Sequence, residues 1–169
     1  MMNKKTRTLA LSAILSAFAF ISLFIASVWP AAQMSLAAFS SIFVAAAVIE
    51  SSLSAGVYVF VCSSLLSIIL LPDKTASLLF ILFFGYYPVI KSLIERLGAI
   101  PLQWLLKLVV FNAALSVVYF FLKELIFDFG DDSPGLLIVY IAGSAIFALF
   151  DYGFTKAIRL YMYRVKRRR

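Results

Sequence analysis

A long stretch without charge, from Thr8 to Ile49, constrains the fold of this chain more than any other feature. A second uncharged stretch runs from Ser51 to Pro72. The 169 residues are 64% hydrophobic with a mean hydropathy of +1.04, and a soluble domain of this size has too much surface to hide so many apolar side chains. We therefore expect an integral membrane protein.

Six apolar segments match the roughly 20 helical residues that cross a bilayer core of about 30 Å. Trp29-Pro30, Glu50 and Pro72 mark the first three boundaries. The sequence therefore predicts an all-α membrane protein whose six helices form one compact bundle, a single membrane domain over residues 1–169. The first apolar run exceeds the ~7–15 residues of a signal-peptide core, so we expect the N-terminus to be retained. The predicted spans cover residues 8–28, 33–49, 53–71, 76–97, 103–122 and 135–161.

Basic residues are distributed unequally between the two sides that six spans define. Only Lys74 and Lys123 fall on one side, which is otherwise acidic, and the positive-inside rule makes that side the outer one. We therefore expect both termini in the cytoplasm. The basic C-terminus then indicates contact with anionic membrane lipid rather than with nucleic acid. The basic residues on the opposite, inner side are Lys4, Lys5, Arg7, Lys91, Arg96, Lys107, Lys156, Arg159, Arg164, Lys166, Arg167, Arg168 and Arg169.

Small residues recur four apart on the first predicted helix, Ala13 with Ala17 and Ser12 with Ser16. In lipid, helices associate by close backbone approach through such residues. The helix therefore carries a smooth strip on which another helix can lie.

Few polar groups fall inside the predicted spans, and each has two interpretations. Asn112 lies near the middle of span five, where it either bonds a neighbouring helix or contacts a ligand. Tyr86 precedes Pro88 in span four, and the proline predicts a kink near Phe84, which is either an ordinary helix kink or the opening of a cavity.

Aromatic residues are frequent toward the outer ends of the spans, including Trp29, Tyr58, Tyr119 and Tyr140. An interfacial aromatic belt explains each of them singly. Together with Asn112 and the acidic outer side, they also suggest an amphipathic outer cavity for a neutral or cationic solute.

Charged residues in the inner halves of the spans suggest either mutual neutralisation or contact with the cytoplasmic helices of a partner. Lys91 and Glu95 lie four apart on one helix face, whereas Asp151 reaches Lys156 or Arg159 only obliquely. A proton relay through Glu50 and Asp151 is a weaker alternative. Cys62, the single cysteine, is expected to be an inert packing residue.

Catalytic and metal-binding patterns are absent from the sequence. The chain has no histidine, no cysteine cluster and no glycine-rich phosphate loop followed by lysine. We therefore expect no enzymatic activity, no metal and no cofactor.

The segment from Arg7 to Ala17, with its Ala-x-x-x-Ala pattern, resembles the first helix of S components, the substrate-binding membrane subunits of energy-coupling factor (ECF) transporters. The resemblance implies a six-helix subunit of the cell membrane that captures a vitamin or related micronutrient at its outer face. It also implies that Ala13 and Ala17 dock a transmembrane T subunit, which is energised by two separate ATPase subunits.

The resemblance further implies a pocket between helices four to six, roofed by residues 29–33, 72–74 and 123–133. It leaves the ligand open, because no pocket motif of the thiamine, riboflavin or biotin members is present. The candidate substrate-binding residues are Trp29, Gln33, Tyr86, Asn112, Tyr119 and Tyr140.

The alternative function is a six-span scaffold or assembly protein of the cell envelope, which uses the same small-residue strip to dock a different helix and holds no ligand. A membrane enzyme acting on lipid is disfavoured, because the sequence offers no set of catalytic residues.

Overall fold

The computed structural model describes residues 4–122 and 136–166, and these residues are helical apart from short connections, with no strand among them. The helices are α1 (Lys4–Val28), α2 (Gln33–Glu50), α3 (Leu53–Leu70), α4 (Lys74–Leu79), α5 (Tyr87–Ile94), α6 (Ile100–Val117) and α7 (Leu136–Lys166), with a 3-10 turn at Pro30–Ala32 and π-helical turns at Phe80–Phe84 and Val118–Leu122.

Six helical segments are long and apolar enough to span a membrane, which confirms the predicted number of spans. The divide between the first two spans falls at Trp29, and Pro30 opens the 3-10 turn, where its missing N–H costs no helical hydrogen bond. Ser52 begins α3 by accepting a hydrogen bond from the Ala55 N–H, and Asp73 begins α4 by accepting one from the Thr75 N–H. The segments are Lys5–Val28, Pro30–Glu50, Leu53–Leu70, Lys74–Ile94, Ile100–Phe120 and Leu137–Arg164.

The chain divides into two compact units, Met1–Gly98 and Ala99–Arg169. The first unit contains α1 to α5 and the second contains α6 and α7. The expectation of one membrane domain over residues 1–169 stays a prediction. The predicted outer connection at 123–133 lies outside the described residues.

Small side chains are frequent in the interior of the first unit, beside larger ones such as Leu23 and Phe80. α1 packs against α2 and α3, and α2 packs against α3. Such residues let helix backbones approach closely, which is how helices associate in lipid. The buried alanines and serines of this unit are Ala19, Ala26, Ala37, Ala45, Ala46, Ala47, Ala55, Ala76, Ser12, Ser16, Ser22, Ser27, Ser40, Ser41, Ser63, Ser64, Ser67 and Ser77.

Most of these serine hydroxyls are satisfied by backbone carbonyls. Ser63 Oγ donates to the Val59 carbonyl of its own helix at 2.7 Å, and Ser22 Oγ of α1 donates across to the Leu36 carbonyl of α2 at 3.1 Å. A buried serine whose hydroxyl donates to a carbonyl of its own helix has its polar group satisfied. Such a serine can act as a small packing residue.

The fourth span is interrupted near its middle. α4 ends at Leu79, the π-helical turn Phe80–Phe84 follows, and α5 begins at Tyr87 with Pro88 in its first turn. The Gly85 N–H donates to the Phe80 carbonyl at 2.6 Å, which closes the wider π turn. A Cβ on Gly85 would lie 2.7–2.8 Å from the Phe60 and Phe80 rings, so the close packing here requires glycine.

The second unit has a different interior, made of larger side chains. Its buried residues include Leu115 and Val118 of the fifth span and Phe147 and Phe154 of α7. Phe111 and Phe147 stack with ring centroids 4.5 Å apart and an interplanar angle of 17°. Buried beside these apolar groups are two charged side chains, Lys107 and Asp151.

Candidate functional site

The small-residue strip of α1 is divided between two faces of that helix. Ser12 and Ser16 are buried, and the Ser16 hydroxyl donates to the Ser12 carbonyl at 2.8 Å. Ala13 and Ala17 are exposed, because one residue further along the helix turns the side chain by about 100°. The two predicted partner-docking residues therefore lie on an open face of α1, and their role stays a prediction.

The connections that follow α1 and α3 are joined by a side-chain hydrogen bond. Gln33 Nε2, at the start of α2, donates to Asp73 Oδ2, while Asp73 Oδ1 accepts the Thr75 N–H at 2.9 Å. Lys74 Nζ donates to the Ile68 and Leu71 carbonyls, each at 2.6 Å, and so caps the end of α3. Two of the three predicted roof segments, 29–33 and 72–74, therefore meet, and the Gln33 amide predicted to bind substrate is engaged by Asp73.

An apolar concavity of about 310 Å³ lies at the same end of α1, beside Phe24, Ile25, Val28 and Trp29. Trp29 is a predicted substrate-binding residue, and its side chain is exposed. The surface of this concavity is almost entirely apolar, and its open position on α1 matches the lipid-facing side of a membrane helix.

Tyr86 lies in the break between the π-helical turn and α5. Its side chain is half-buried, while the neighbouring Tyr87 is fully packed. The Tyr86 carbonyl accepts hydrogen bonds from both the Val89 and Ile90 N–H groups at 3.1 Å, which begins the new helix. The interruption falls where Pro88 predicts a kink, and the ligand role of Tyr86 stays a prediction.

Below the break, Lys91 is buried, with 2% of its surface exposed. Its Nζ lies 2.9 Å from Glu95 Oε1, one helical turn later, and 5.7 Å from the centre of the Tyr87 ring. The predicted neutralisation of Lys91 by Glu95 is therefore present. The Glu95 side chain is 42% exposed, so this ion pair extends from the interior to the surface.

In the second unit, three polar pairs cross from the fifth span to α7, and we call them the polar seam. Lys107 Nζ lies 3.2 Å from Asp151 Oδ2, in a pair whose side chains are about 95% buried. Asn112 and Ser144 exchange two hydrogen bonds of 3.4 Å, and the Ser116 and Tyr140 hydroxyls lie 2.5 Å apart. The pairs follow each other along an antiparallel helix pair, covering about 14 Å of α6 by helix rise.

The polar seam gives partners to two residues whose roles the sequence leaves open, and the ligand role of Asn112 stays a prediction. Asn112 forms the interhelical hydrogen bond that is one of its two interpretations, and its Nδ2 also donates to the Leu108 carbonyl at 2.9 Å. Asp151 pairs with Lys107 on the neighbouring helix, while the Thr155 hydroxyl bonds its backbone carbonyl. Ser116 and Ser144 of the polar seam were not predicted from the sequence, because a single serine in an apolar helix does not by itself indicate an interhelical contact.

Tyr119 lies in the π-helical turn Val118–Leu122, half-buried, with its ring edge-on to Phe120 at 5.5 Å. Of the predicted substrate-binding residues, Tyr86 belongs to the first unit, whereas Asn112, Tyr119 and Tyr140 belong to the second. A cavity shared by these four residues stays a prediction. Cys62, expected to pack inside, is instead exposed on α3, a correction that follows from its position on the apolar outward face of that helix.

Together, the six apolar helices, the buried small residues and the satisfied intramembrane charges define a multi-pass membrane protein. Among residues 4–122 and 136–166, no group of three or more acidic or cysteine side chains is placed to hold a metal ion. No protein-family model matches the chain, and neither a curated protein nor a solved structure matches it.

Proposed function

We propose that this chain is the substrate-binding subunit of an ECF-type importer. It captures a vitamin or related micronutrient at the outer face of the cell membrane and docks through α1 to a T subunit that two ATPases energise. The observation that carries the proposal is the exposed pair Ala13 and Ala17 on a helix whose opposite face packs against α2 and α3. The resemblance to S components requires small, exposed side chains on one face of the first helix.

The proposed orientation places both termini in the cytoplasm. Six spans bring both ends of the chain to one side, and the positive-inside rule assigns that side from the basic residues around α1 and the end of α7. The connections at 29–33 and 72–74, joined by Gln33 and Asp73, then lie on the outer side, where a solute arrives. In the sequence, the residues assigned to the outer side carry more acidic than basic groups, and this excess favours a neutral or cationic solute over an anion. The residues are Asp73, Glu124, Asp128, Asp131 and Asp132 against Lys74 and Lys123.

The experiment that tests the docking role is co-purification from the native host. Replacing Ala13 and Ala17 with Trp places two large rings on the open face of α1, and we expect loss of the T subunit and the ATPases from the purified complex. The matched control is Ala113→Trp with Ala142→Trp, two exposed alanines on α6 and α7. Equal loss in both variants, or undiminished complex in the first, contradicts the proposal.

A second measurement tests the solute. Mass spectrometry of small molecules that accompany the purified chain should identify a stoichiometric micronutrient, which persists in the Ala13→Trp and Ala17→Trp variant because that face is remote from the connections at 29–33 and 72–74. A chain that carries no small molecule, yet retains a helical partner through Ala13 and Ala17, is the envelope scaffold instead.

A further inference from the structure

α7 is too long for the bilayer that it crosses. The candidate spanning helix Leu137–Arg164 has 28 residues, which corresponds to about 42 Å of helix against a hydrocarbon core of about 30 Å. A tilt of about 45° would be needed to bury it all, beyond the range of about 0–40° that membrane helices adopt. Part of the helix must therefore lie at headgroup level.

The charge distribution indicates which end of α7 lies outside the hydrocarbon core of the bilayer. The helix carries no charge from Leu137 to Phe150, and its first charged residue, Asp151, is paired with Lys107. Lys156, Arg159 and Arg164 follow, and none of them forms a hydrogen bond or ion pair with another residue in the ranges 4–122 and 136–166. About 20 residues after Leu137 the helix reaches the far side, so this C-terminal portion lies among the lipid headgroups.

Four side chains in this portion form one stripe, which we call the α7 headgroup stripe: Tyr152, Lys156, Arg159 and Tyr163. Their spacing of four, three and four residues places them within an arc of about 60° on the helix. All four are exposed, with Tyr152 and Tyr163 each at 67%, whereas Asp151 and Phe154 on other faces are buried. Lys156 Nζ lies 6.0 Å from the centre of the Tyr152 ring, so the ammonium group and the ring lie close together within the stripe.

We propose that the α7 headgroup stripe is a binding site for an anionic phospholipid. Its two cations are placed to bind the phosphate, and each tyrosine has the amphipathic ring that settles at headgroup level. Charge complementarity selects lipid over an apolar partner, since the chain beyond Asp151 contains seven basic residues and no acidic one: Lys156, Arg159, Arg164, Lys166, Arg167, Arg168 and Arg169. The site is independent of the proposed transport function.

The test is native mass spectrometry of the purified full chain, offered palmitoyl-oleoyl phosphatidylglycerol and phosphatidylcholine at equal concentration. We expect the wild type to retain phosphatidylglycerol preferentially. The Lys156→Gln and Arg159→Gln variant should lose about 25-fold in that preference, because each basic group near the surface contributes about fivefold. The matched control, Lys5→Gln with Arg7→Gln, removes the same charge from α1 and should keep the preference.

A second variant separates the site from bulk charge. Tyr152→Ala with Tyr163→Ala keeps every cation and should still weaken phosphatidylglycerol retention, by a smaller factor than the charge variant. Equal retention of both lipids by the wild type overturns the proposal and points to an acidic protein segment as the occupant. Equal losses in the α7 and α1 charge variants also overturn it, since they indicate attraction by net charge alone.

Discussion

In the first unit, α1 to α3 pack through buried alanines and serines, whereas in the second unit the fifth span and α7 meet through larger side chains that pair across the interface. The first four spans also bury a larger share of their residues than the last two. Lipid provides no hydrophobic force between helices, so association relies on close packing or on polar contacts. The two units illustrate these two solutions within one chain.

This difference predicts how each unit responds to mutation. A unit held by close backbone approach is sensitive to added volume, since its small residues leave no room. A unit held by paired side chains is sensitive to the removal of one partner, since the remaining group is left in a medium that solvates it poorly. The following predictions compare the two units on that basis, each measured as the free energy of unfolding by SDS titration in mixed micelles.

The largest effect is expected at the buried ion pair of the polar seam. Asp151→Leu removes the carboxylate that lies 3.2 Å from Lys107 Nζ and leaves that cation buried without it. We expect a loss of about 3–5 kcal/mol, the usual cost of breaking a buried pair from one side. SDS titration of this variant against the wild type measures the loss.

The double variant Lys107→Met with Asp151→Leu is the control for this prediction. It replaces both charges with apolar groups and should recover most of the lost stability, because neither charge then remains to be buried. A double variant as unstable as Asp151→Leu alone would show that the apolar contacts of Lys107, such as its approach to the Trp104 ring at 5.7 Å, matter more than the charge pair.

A smaller effect is expected from added volume, and it should differ between the units. In the first unit, Gly85→Ala places a Cβ within 2.7–2.8 Å of the Phe60 and Phe80 rings, and overpacking of this kind costs about 1–3 kcal/mol. In the second unit, Gly143→Ala meets the flexible end of Leu115 at 3.0 Å and should cost less. SDS titration of the two variants gives the comparison.

Gly153→Ala serves as the reference for these glycine variants. A Cβ there has open space, so the only effect is the gain in helix propensity, about 0.5–1 kcal/mol. If Gly85→Ala is as stable as Gly153→Ala, the first unit is not limited by close packing, and the contrast between the units fails.

The sequence predicts the spans well because their signals are local. Runs without charge identify the helices, and Pro30, Pro72 and Pro88 lie at or beside three interruptions. Lys91 and Glu95 can be paired from sequence because four residues on one helix fix their distance.

The polar seam could not be predicted in the same way. Lys107 and Asp151 are 44 residues apart, so their pairing depends on the register between two helices, which no local pattern specifies. The same holds for Ser116 with Tyr140. The π-helical turn before Gly85 is also unpredicted. Gly85 packs against the Phe60 and Phe80 rings, and no local pattern specifies its contact with Phe60 on α3.

The smallest effect is expected at the neutral end of the polar seam. The Ser116 and Tyr140 hydroxyls lie 2.5 Å apart, and interhelical hydrogen bonds in membrane proteins average about 0.6 kcal/mol with a maximum near 1.7. A double-mutant cycle of Ser116→Ala and Tyr140→Phe should give a coupling energy in that range, well below the cost of Asp151→Leu. Coupling near zero would contradict a stabilising role for this pair and agree with a ligand role for Tyr140. The second unit would then be held by the Lys107–Asp151 and Asn112–Ser144 pairs and by the stacked Phe111 and Phe147 rings.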